Sequence, residues 1–547
     1  MENKDQPHDV PVIDPHLPLP VEPAVSVESP RTPLSSLARM VVENFEGDLK
    51  PNFESKISVN PFVSKVASAY ERVRNAMEYR EEEVIFRATI ERILRRRLLL
   101  GGTAKSTAEP LVRELIWARY LEDGTVPESS IEQVEKIIDV WLSFRLQVLE
   151  KHKIQVGVIN EWTYHFMSSN LSHFLHPNKE KQLIANFMYQ VLQDDVTIVD
   201  DTEETRNAQV YMAVRKSFAR DDIAFLRYHL FLLYFGELNE HSLHFITGNF
   251  LDGYKEINRE LDYPRKDRIY SYIKKRAATF FILEDILRTH KGELRDILEN
   301  EERLHHVIET ACTHRYKSIS VKVRTAIVRS VIFILLSKVI FAFAIEGTYE
   351  RLVYGEILWR SLIINMTIPP LLMVVVSFFI RTPGSDNTKR ISGFIRKLLY
   401  QEKPTLGDPI IVKRENDRPN FIFNTLWLAA FLISFGSIIV VLTRLQFNIV
   451  SQGIFIFFLT IVSFLAYRIS LTANLYTVGE KQDFLTPFID FLFLPVVRVG
   501  KRLTQSISQI NIILFLFDLL IETPFKVFFA FVEQWFKFLR EKSEDLG

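Results

Sequence analysis

A lysine inside an apolar stretch is the residue with the clearest chemical implication in this sequence. Lys338 interrupts the hydrophobic run Ile327–Ile345, and an ammonium group near the middle of a bilayer costs on the order of 3 kcal/mol on insertion scales. Such a group pairs with another polar group or faces water. Asn365 in the next apolar run and Asp490 after the last one are the candidate partners. Alternatively, the Lys338 side chain extends to the interface along a short first span.

Two adjacent prolines follow Asn365 by about one helical turn. Pro369 and Pro370 lack backbone N–H groups, so we predict that they break the second apolar helix and free carbonyl groups near Lys338. One lysine beside a proline break does not by itself define a transport pathway. It does mark the place where such a pathway would be sought.

A charged stripe runs through an otherwise apolar stretch near the C-terminus. Asp518, Glu522 and Lys526 recur at intervals of four within Ile510–Phe538, and this spacing puts them on one face of a helix. A helix of this kind lies in the membrane interface or inserts with its stripe against other protein. Full insertion would carry the basic residues at 498–502 across the membrane, against the positive-inside rule. We therefore predict interfacial or re-entrant helices.

Three potential metal ligands share a predicted helix face. His305, Glu309 and Cys312 stand at positions i, i+4 and i+7, and imidazole, carboxylate and thiolate suit a soft divalent metal. A solvated helix face is the alternative that we favour, because no separate second pair of ligands accompanies them. We assign no cofactor and no catalytic residue to the chain.

Four apolar segments are long enough for helices that cross a bilayer core, which takes roughly 20 residues. The loop at 381–420 carries nine lysines and arginines, and positively charged loops stay in the cytoplasm. We therefore predict both termini in the cytoplasm and, from composition, a bacterial inner membrane. The predicted spans are Ile327–Ile345, Ser361–Ile380, Phe421–Thr443 and Ile449–Leu471.

The remainder of the chain reads as helices, so the predicted class is all-α: a helical cytoplasmic domain, a polytopic helical membrane domain and C-terminal amphipathic helices. Apolar residues recur at intervals of three and four residues, and the alternation of apolar and polar residues that is typical of strands is almost absent. The predicted regions are a disordered proline-rich tail at 1–58, helical regions at 59–193 and 205–326 around an acidic linker at 194–204, the membrane domain at 327–471, and interfacial helices with a tail at 472–547.

The function expected from these features is a non-enzymatic, membrane-anchored interaction or scaffold protein. The formal net charge is zero, so no nucleic-acid surface is expected. The expected partners are the lipid bilayer and proteins that contact the helical domain, and a homo-oligomer is left open. A transporter or channel component that uses Lys338 and the charged stripe is the alternative, and a metal-dependent membrane enzyme or sensor is the second alternative.

Overall fold

The structure is a computed structural model. It describes residues 32–46, 82–99, 101–357, 359–413, 421–479 and 493–503, with scattered residues at 56–71 and 528–539. Two π-helical turns, Arg215–Ala219 and Ala342–Gly347, interrupt the α-helices. The helices are α1 Ser36–Glu46, α2 Glu82–Leu99, α3 Ala104–Trp117, α4 Ser129–Lys151, α5 Val156–Leu175, α6 Lys179–Leu192, α7 Glu203–Val214, α8 Ile223–Phe235, α9 Leu243–Leu261, α10 Lys266–Thr289, α11 Leu294–Leu298, α12 Glu301–Phe341, α13 Thr348–Tyr354, α14 Trp359–Ser377, α15 Ser385–Tyr400, α16 Phe421–Arg444 and α17 Ile449–Ala473; the strands are β1 Val196–Ile198 and β2 Ile410–Val412.

The first core of the helical domain is aromatic and lies between α2–α5, α8 and α9. Trp141 of α4 is at its centre and is 1% exposed. Its ring lies 5.1 Å from Phe166 and 5.3 Å from Phe231, measured between centroids, and 5.4 Å from Phe144. Large aromatic surfaces buried in this way dominate the stability of a core.

The second core joins segments that are far apart in the sequence. It brings together α1, α6, α7, α10, α12 and α15 and extends to Val478, which follows α17. Helix α6 therefore belongs with later helices, whereas α8 and α9 belong to the first core. The two cores do not separate at the predicted acidic linker, and Val196–Ile198 within that linker form strand β1.

The described part of the predicted loop, residues 381–413, and part of the predicted tail contribute to this second core. Ile391 and Ile395 of α15 are fully buried, and β2 pairs in parallel with β1. The backbone N–H of Ser35 donates to the carbonyl of Leu399 over 2.7 Å. Within the predicted tail, residues 36–46 form α1, which buries its apolar face here; residues 1–31 lie outside the described part of the chain.

Three helices among the described residues are long and apolar enough to cross a membrane. They are Glu301–Tyr354, Asn424–Arg444 and Ile449–Ala473. The second predicted span forms α14, whose apolar part, Leu362–Ser377, is shorter. Helix α14 nevertheless packs against α12 and α17. Four spans and their orientation stay predictions.

Helix α12 connects the helical domain to the membrane helices without a break. Its 41 residues extend about 60 Å at 1.5 Å per residue. Leu304, Ile308 and Cys312 are buried in the second core, and Ile334 and Lys338 are buried among the membrane helices. One continuous helix thus enters both parts of the protein.

Candidate functional site

Lys338 is fully buried between the membrane helices and is paired there. Its Nζ donates to Oδ1 of Asn365 over 2.6 Å. The same ammonium lies 4.5 Å from the ring centroid of Phe458 on α17, a cation–π distance. The structure therefore brings Lys338 together with one of its two predicted partners. The other, Asp490, lies outside the described residues.

Asn365 links this ammonium to a buried carboxylate. Its Nδ2 lies 2.9 and 2.8 Å from the two carboxylate oxygens of Glu346 and 3.2 Å from the carbonyl oxygen of Ser451. Glu346 is 0% exposed. One positive and one negative charge are thus joined through an amide, which offsets part of the cost of burying both. We call Lys338, Asn365, Glu346 and Ser451 the polar cluster.

The π-helical turn Ala342–Gly347 places Glu346 in the cluster. In a regular α-helix, eight residues turn through about 800°, so Glu346 would stand about 80° away from Lys338. A π-helical turn absorbs about one extra residue, which makes the offset equivalent to seven residues and brings it to about 20°. Glu350, one turn further on, moves to the same side for the same reason.

A second buried carboxylate continues the polar line toward the end of the helix. Nδ2 of Asn448 donates to Oε1 of Glu350 over 2.9 Å, and Oδ1 of Asn448 accepts from the backbone N–H of Ser451 over 2.8 Å. Asn448 therefore caps α17 and holds Glu350 at once. From Lys338 to Glu350 the line extends about 18 Å along the helix.

The two prolines lie inside α14, which continues through them. The prediction that they break this helix is wrong, because the packing of α14 against α12 and α17 maintains its path. Pro369 still lacks the N–H that would donate to the carbonyl of Asn365, four residues earlier. A carbonyl without that helical partner therefore stands beside the polar cluster.

The three predicted metal ligands do not converge. The side chains of His305 and Glu309 are 55% and 56% exposed, whereas Cys312 is fully buried. Burial raises the pKa of the Cys312 thiol to about 11, which disfavours the thiolate that a metal requires. No group of three potential metal ligands occurs among the described residues. The structure therefore does not support the alternative of a metal site at these three residues, because Cys312 faces the second core.

The C-terminal segment at 493–503 contacts the membrane helices. A Cβ atom on Gly500 would lie 2.0 Å from the carbonyl oxygen of Thr460 in α17, so only glycine permits this close approach of two backbones. The guanidinium of Arg498 lies 5.2 Å from the ring of Trp427 in α16. Asp518, Glu522 and Lys526 lie outside the described residues, and whether the C-terminal segments span the membrane stays a prediction.

The helical domain contains an open cleft of about 1060 Å³ between α6, α7, α8 and α9. At its base, Glu260 is 1% exposed and accepts hydrogen bonds from Gln209 over 2.8 Å and from Arg259 over 3.3 Å. Burial raises the pKa of the Glu260 carboxyl. The cleft has the size and the mixed lining of ligand-binding sites. Its rim and walls also include Tyr189, Tyr211, Leu233, Tyr234 and Glu256.

A buried histidine and its carboxylate partner lie beneath one wall of the cleft. Nε2 of His229 lies 3.1 Å from Oδ2 of Asp221, to which Arg215 also donates over 2.7 Å. Burial opposes ionisation of Asp221, but Arg215 and His229 hold its pKa at about 2. The ring of His173 lies 5.3 Å from that of His229. Sequence reasoning missed this group because its members come from separate segments: α5, the π-helical turn, the connection before α8, and α8.

The described residues define an all-α protein with three helices that are long and apolar enough to cross a membrane. No family model, curated protein or solved structure matches this chain. Its function is therefore inferred from the geometry of the polar cluster and the cleft.

Proposed function

We propose that this chain is a non-enzymatic, membrane-anchored interaction protein whose helical domain offers its cleft to a protein partner. The cleft is the observation that carries the proposal, because it is open and joins aromatic, apolar and charged side chains in one concave surface. Residue Leu233, at its rim, is 61% exposed. Leu233 and the neighbouring Tyr234, which is 40% exposed, offer apolar and aromatic contacts of the kind that protein interfaces use.

The attachment of the domain to the membrane helices supports this role. Helix α12 enters both parts, and α15 with β2 packs into the second core. Two connections of this kind join the domain that carries the cleft to the long apolar helices. We further propose that the domain lies in the cytoplasm of a bacterium, on the inner membrane, because the basic loop, through α15 and β2 in its described part, contributes to the second core of the domain.

A photo-cross-linking residue at Leu233 is expected to give a discrete adduct in intact cells. The same residue at Leu146 of α4 is the matched control, because Leu146 is 60% exposed and lies outside the cleft. Electrophoresis detects the cross-linked adducts, and mass spectrometry identifies the protein in each of them. An adduct with another protein supports the proposal, and an adduct with a second copy assigns the cleft to a homo-oligomer. Equal labelling from both positions would contradict it.

A transporter or channel component is the second candidate, and the polar line from Lys338 to Glu350 is the observation that favours it. Intramembrane ionisable residues commonly mark ion or proton pathways. If the line conducts, replacing both charges in Lys338→Met/Glu346→Leu will abolish ion or proton flux into proteoliposomes. The control is Arg351→Met, on an exposed residue of α13. If the double variant keeps the native flux, or if the native chain shows no flux, the polar cluster has no role in transport and serves only to hold the helices together.

A further inference from the structure

The cleft of the helical domain is lined by more negative than positive charge. Of the fifteen described residues that line it, three are glutamates and one is an arginine, Arg259. His229 adds no positive charge, because burial lowers the pKa of its imidazole. Three carboxylates thus face one guanidinium. The glutamates are Glu204 of α7 and Glu256 and Glu260 of α9.

The single arginine is shared between two of these carboxylates. One terminal nitrogen of the Arg259 guanidinium lies 2.7 Å from Oε2 of Glu256 and 3.3 Å from Oε1 of Glu260. The third carboxylate, on Glu204, is exposed and forms no ion pair with any residue that the structure describes. The negative charge of the lining is therefore only partly compensated from within the cleft.

The other lysines and arginines of the surrounding helices do not supply the missing positive charge. The two lysines of α6 stand in its first turn, whereas its cleft-lining residues lie in its second half. On α7, α8 and α9 the remaining basic side chains contact carboxylates that do not line the cleft. These ion pairs are Arg206 with Glu203 over 2.7 Å, Arg227 with Glu161 over 2.7 Å and Lys255 with Asp252 over 3.4 Å.

Three tyrosine rings stand among the carboxylates. Tyr189 and Tyr211 meet edge to face, with their ring centroids 5.8 Å apart. Burial raises the pKa of the Tyr234 phenol to about 12, and all three glutamates add to this rise while Arg259 opposes it. The three carboxylates therefore act on one place in the cleft. They do so beside aromatic rings, whose faces attract cations.

Glu260 is the most deeply buried of the three carboxylates, and most of its hydrogen-bond donors are neutral. Its Oε2 accepts from Gln209 over 2.8 Å, and its Oε1 accepts from the hydroxyl of Thr205 over 3.4 Å. Arg259 is the cation in contact with it. An ionised carboxylate is costly to bury without full compensation. A second cation in the cleft would offset this cost.

We propose that the cleft recognises a basic segment of its protein partner, with an arginine or lysine side chain of that segment placed among the three carboxylates. Charge complementarity of this kind selects the correct partner. The aliphatic stem of such a side chain can lie against the tyrosine rings and the rim leucine, Leu233. The proposal rests on the interaction role proposed above and adds the chemistry of the partner.

The test uses the full-length protein in a nonionic detergent and two fluorescein-labelled peptides. One peptide repeats glycine and arginine four times. The other replaces each arginine with citrulline, which keeps the length of the side chain but carries no charge. Fluorescence anisotropy at low ionic strength measures binding, because surface charges are least screened there. The native protein is expected to bind the arginine peptide about tenfold more tightly than the citrulline peptide.

Charge-removing variants assign this difference to the cleft. Glu204→Gln/Glu256→Gln is expected to weaken binding of the arginine peptide about tenfold. The matched control, Asp139→Asn/Glu150→Gln, removes two exposed carboxylates of α4 outside the cleft and retains native binding. Matching Tm values show that the variants fold, and the comparison of the two peptides on the native protein needs no variant.

Three results would overturn the proposal. The first is equal binding of the two peptides, and the second is an equal loss in the cleft and control variants. The third is binding of millimolar spermidine that depends on Glu204 and Glu256 when the arginine peptide does not bind. This last result would assign the cleft to a small polycation instead of a protein segment.

The photo-cross-linking residue at Leu233 separates failure of this inference from failure of the interaction role. In intact cells, Glu204→Gln/Glu256→Gln is expected to remove most of the protein adduct formed at that position. An unchanged adduct would refute the basic partner and retain the interaction role. The absence of any adduct from Leu233 in the otherwise native chain would refute the interaction role itself.

Discussion

Glu346→Leu is expected to destabilise the membrane helices by about 3–5 kcal/mol. The substitution leaves the buried ammonium of Lys338 with Asn365 but without a negative charge, and an unpaired buried charge costs this much when one partner of a pair is removed. Lys338→Met is expected to have a similar cost, because it leaves the Glu346 carboxylate uncompensated. Unfolding in mixed micelles of native and denaturing detergent measures both.

The double variant Lys338→Met/Glu346→Leu is the decisive comparison. Replacing both charges with apolar side chains removes the desolvation cost together with the attraction, so the double variant is expected to be more stable than either single one. Arg351→Met, at an exposed position on α13, controls for the loss of any charge near the helix end. A double variant that loses the sum of the two single losses would show that the charges are not coupled.

Acidification is expected to destabilise the helical domain before the surface carboxylates are protonated. Burial, opposed by Glu91, lowers the pKa of His165 from 6.5 to about 4. Unfolded His165 therefore binds a proton near pH 6.5 and folded His165 near pH 4, so the domain loses stability as the pH falls between these values. The loss from His165 approaches about 3 kcal/mol. Fluorescence of the buried Trp141 and Trp162 across a pH series measures it.

Two variants separate this effect from general acid denaturation. His165→Gln is expected to reduce the pH dependence between 6.5 and 4 without removing it, because burial also lowers the pKa of His173 to about 4. His241→Gln, at an exposed residue, leaves the pH dependence unchanged. Below that range, a second loss is expected. Burial opposes ionisation of Glu91, but Arg87, His165 and Arg95 hold its pKa at about 2, so its stabilisation is complete above about pH 4.5 and disappears as the pH falls through 2. An unchanged slope in His165→Gln would refute the assignment.

Sequence periodicity was sufficient for features that depend on local pattern. The all-α class, three apolar helices of membrane length and the proximity of Lys338 to Asn365 all follow from spacing and composition along one or two neighbouring segments. The role of Glu346 was missed because the apolar run ends at Ile345, which placed the carboxylate in a loop. Glu346 lies eight residues after Lys338. It reaches the same helix face only if a π-helical turn intervenes, and no simple periodicity indicates such a turn.

Long-range packing accounts for the other differences. The apolar face of α1 resembles any short amphipathic stretch in a proline-rich tail, and its burial depends on α6 and on the carbonyl of Leu399. The sequence at 381–420 is rich in basic residues and indicates a cytoplasmic loop. Ile391 and Ile395 of α15 are nevertheless buried in the second core. The cleft likewise draws residues from several elements, and a single sequence contains no signal for their convergence.

The second core has a consequence for biosynthesis. Its buried residues extend from Leu34 to Val478, so the ribosome must translate the apolar helices through α17 before this core can close. The buried residues of the first core lie between Ile57 and Ile257 and can assemble earlier on the nascent chain. During membrane insertion the first core would therefore be folded while the second core still exposes apolar surface. That surface stays exposed until α17 has been translated and can pack.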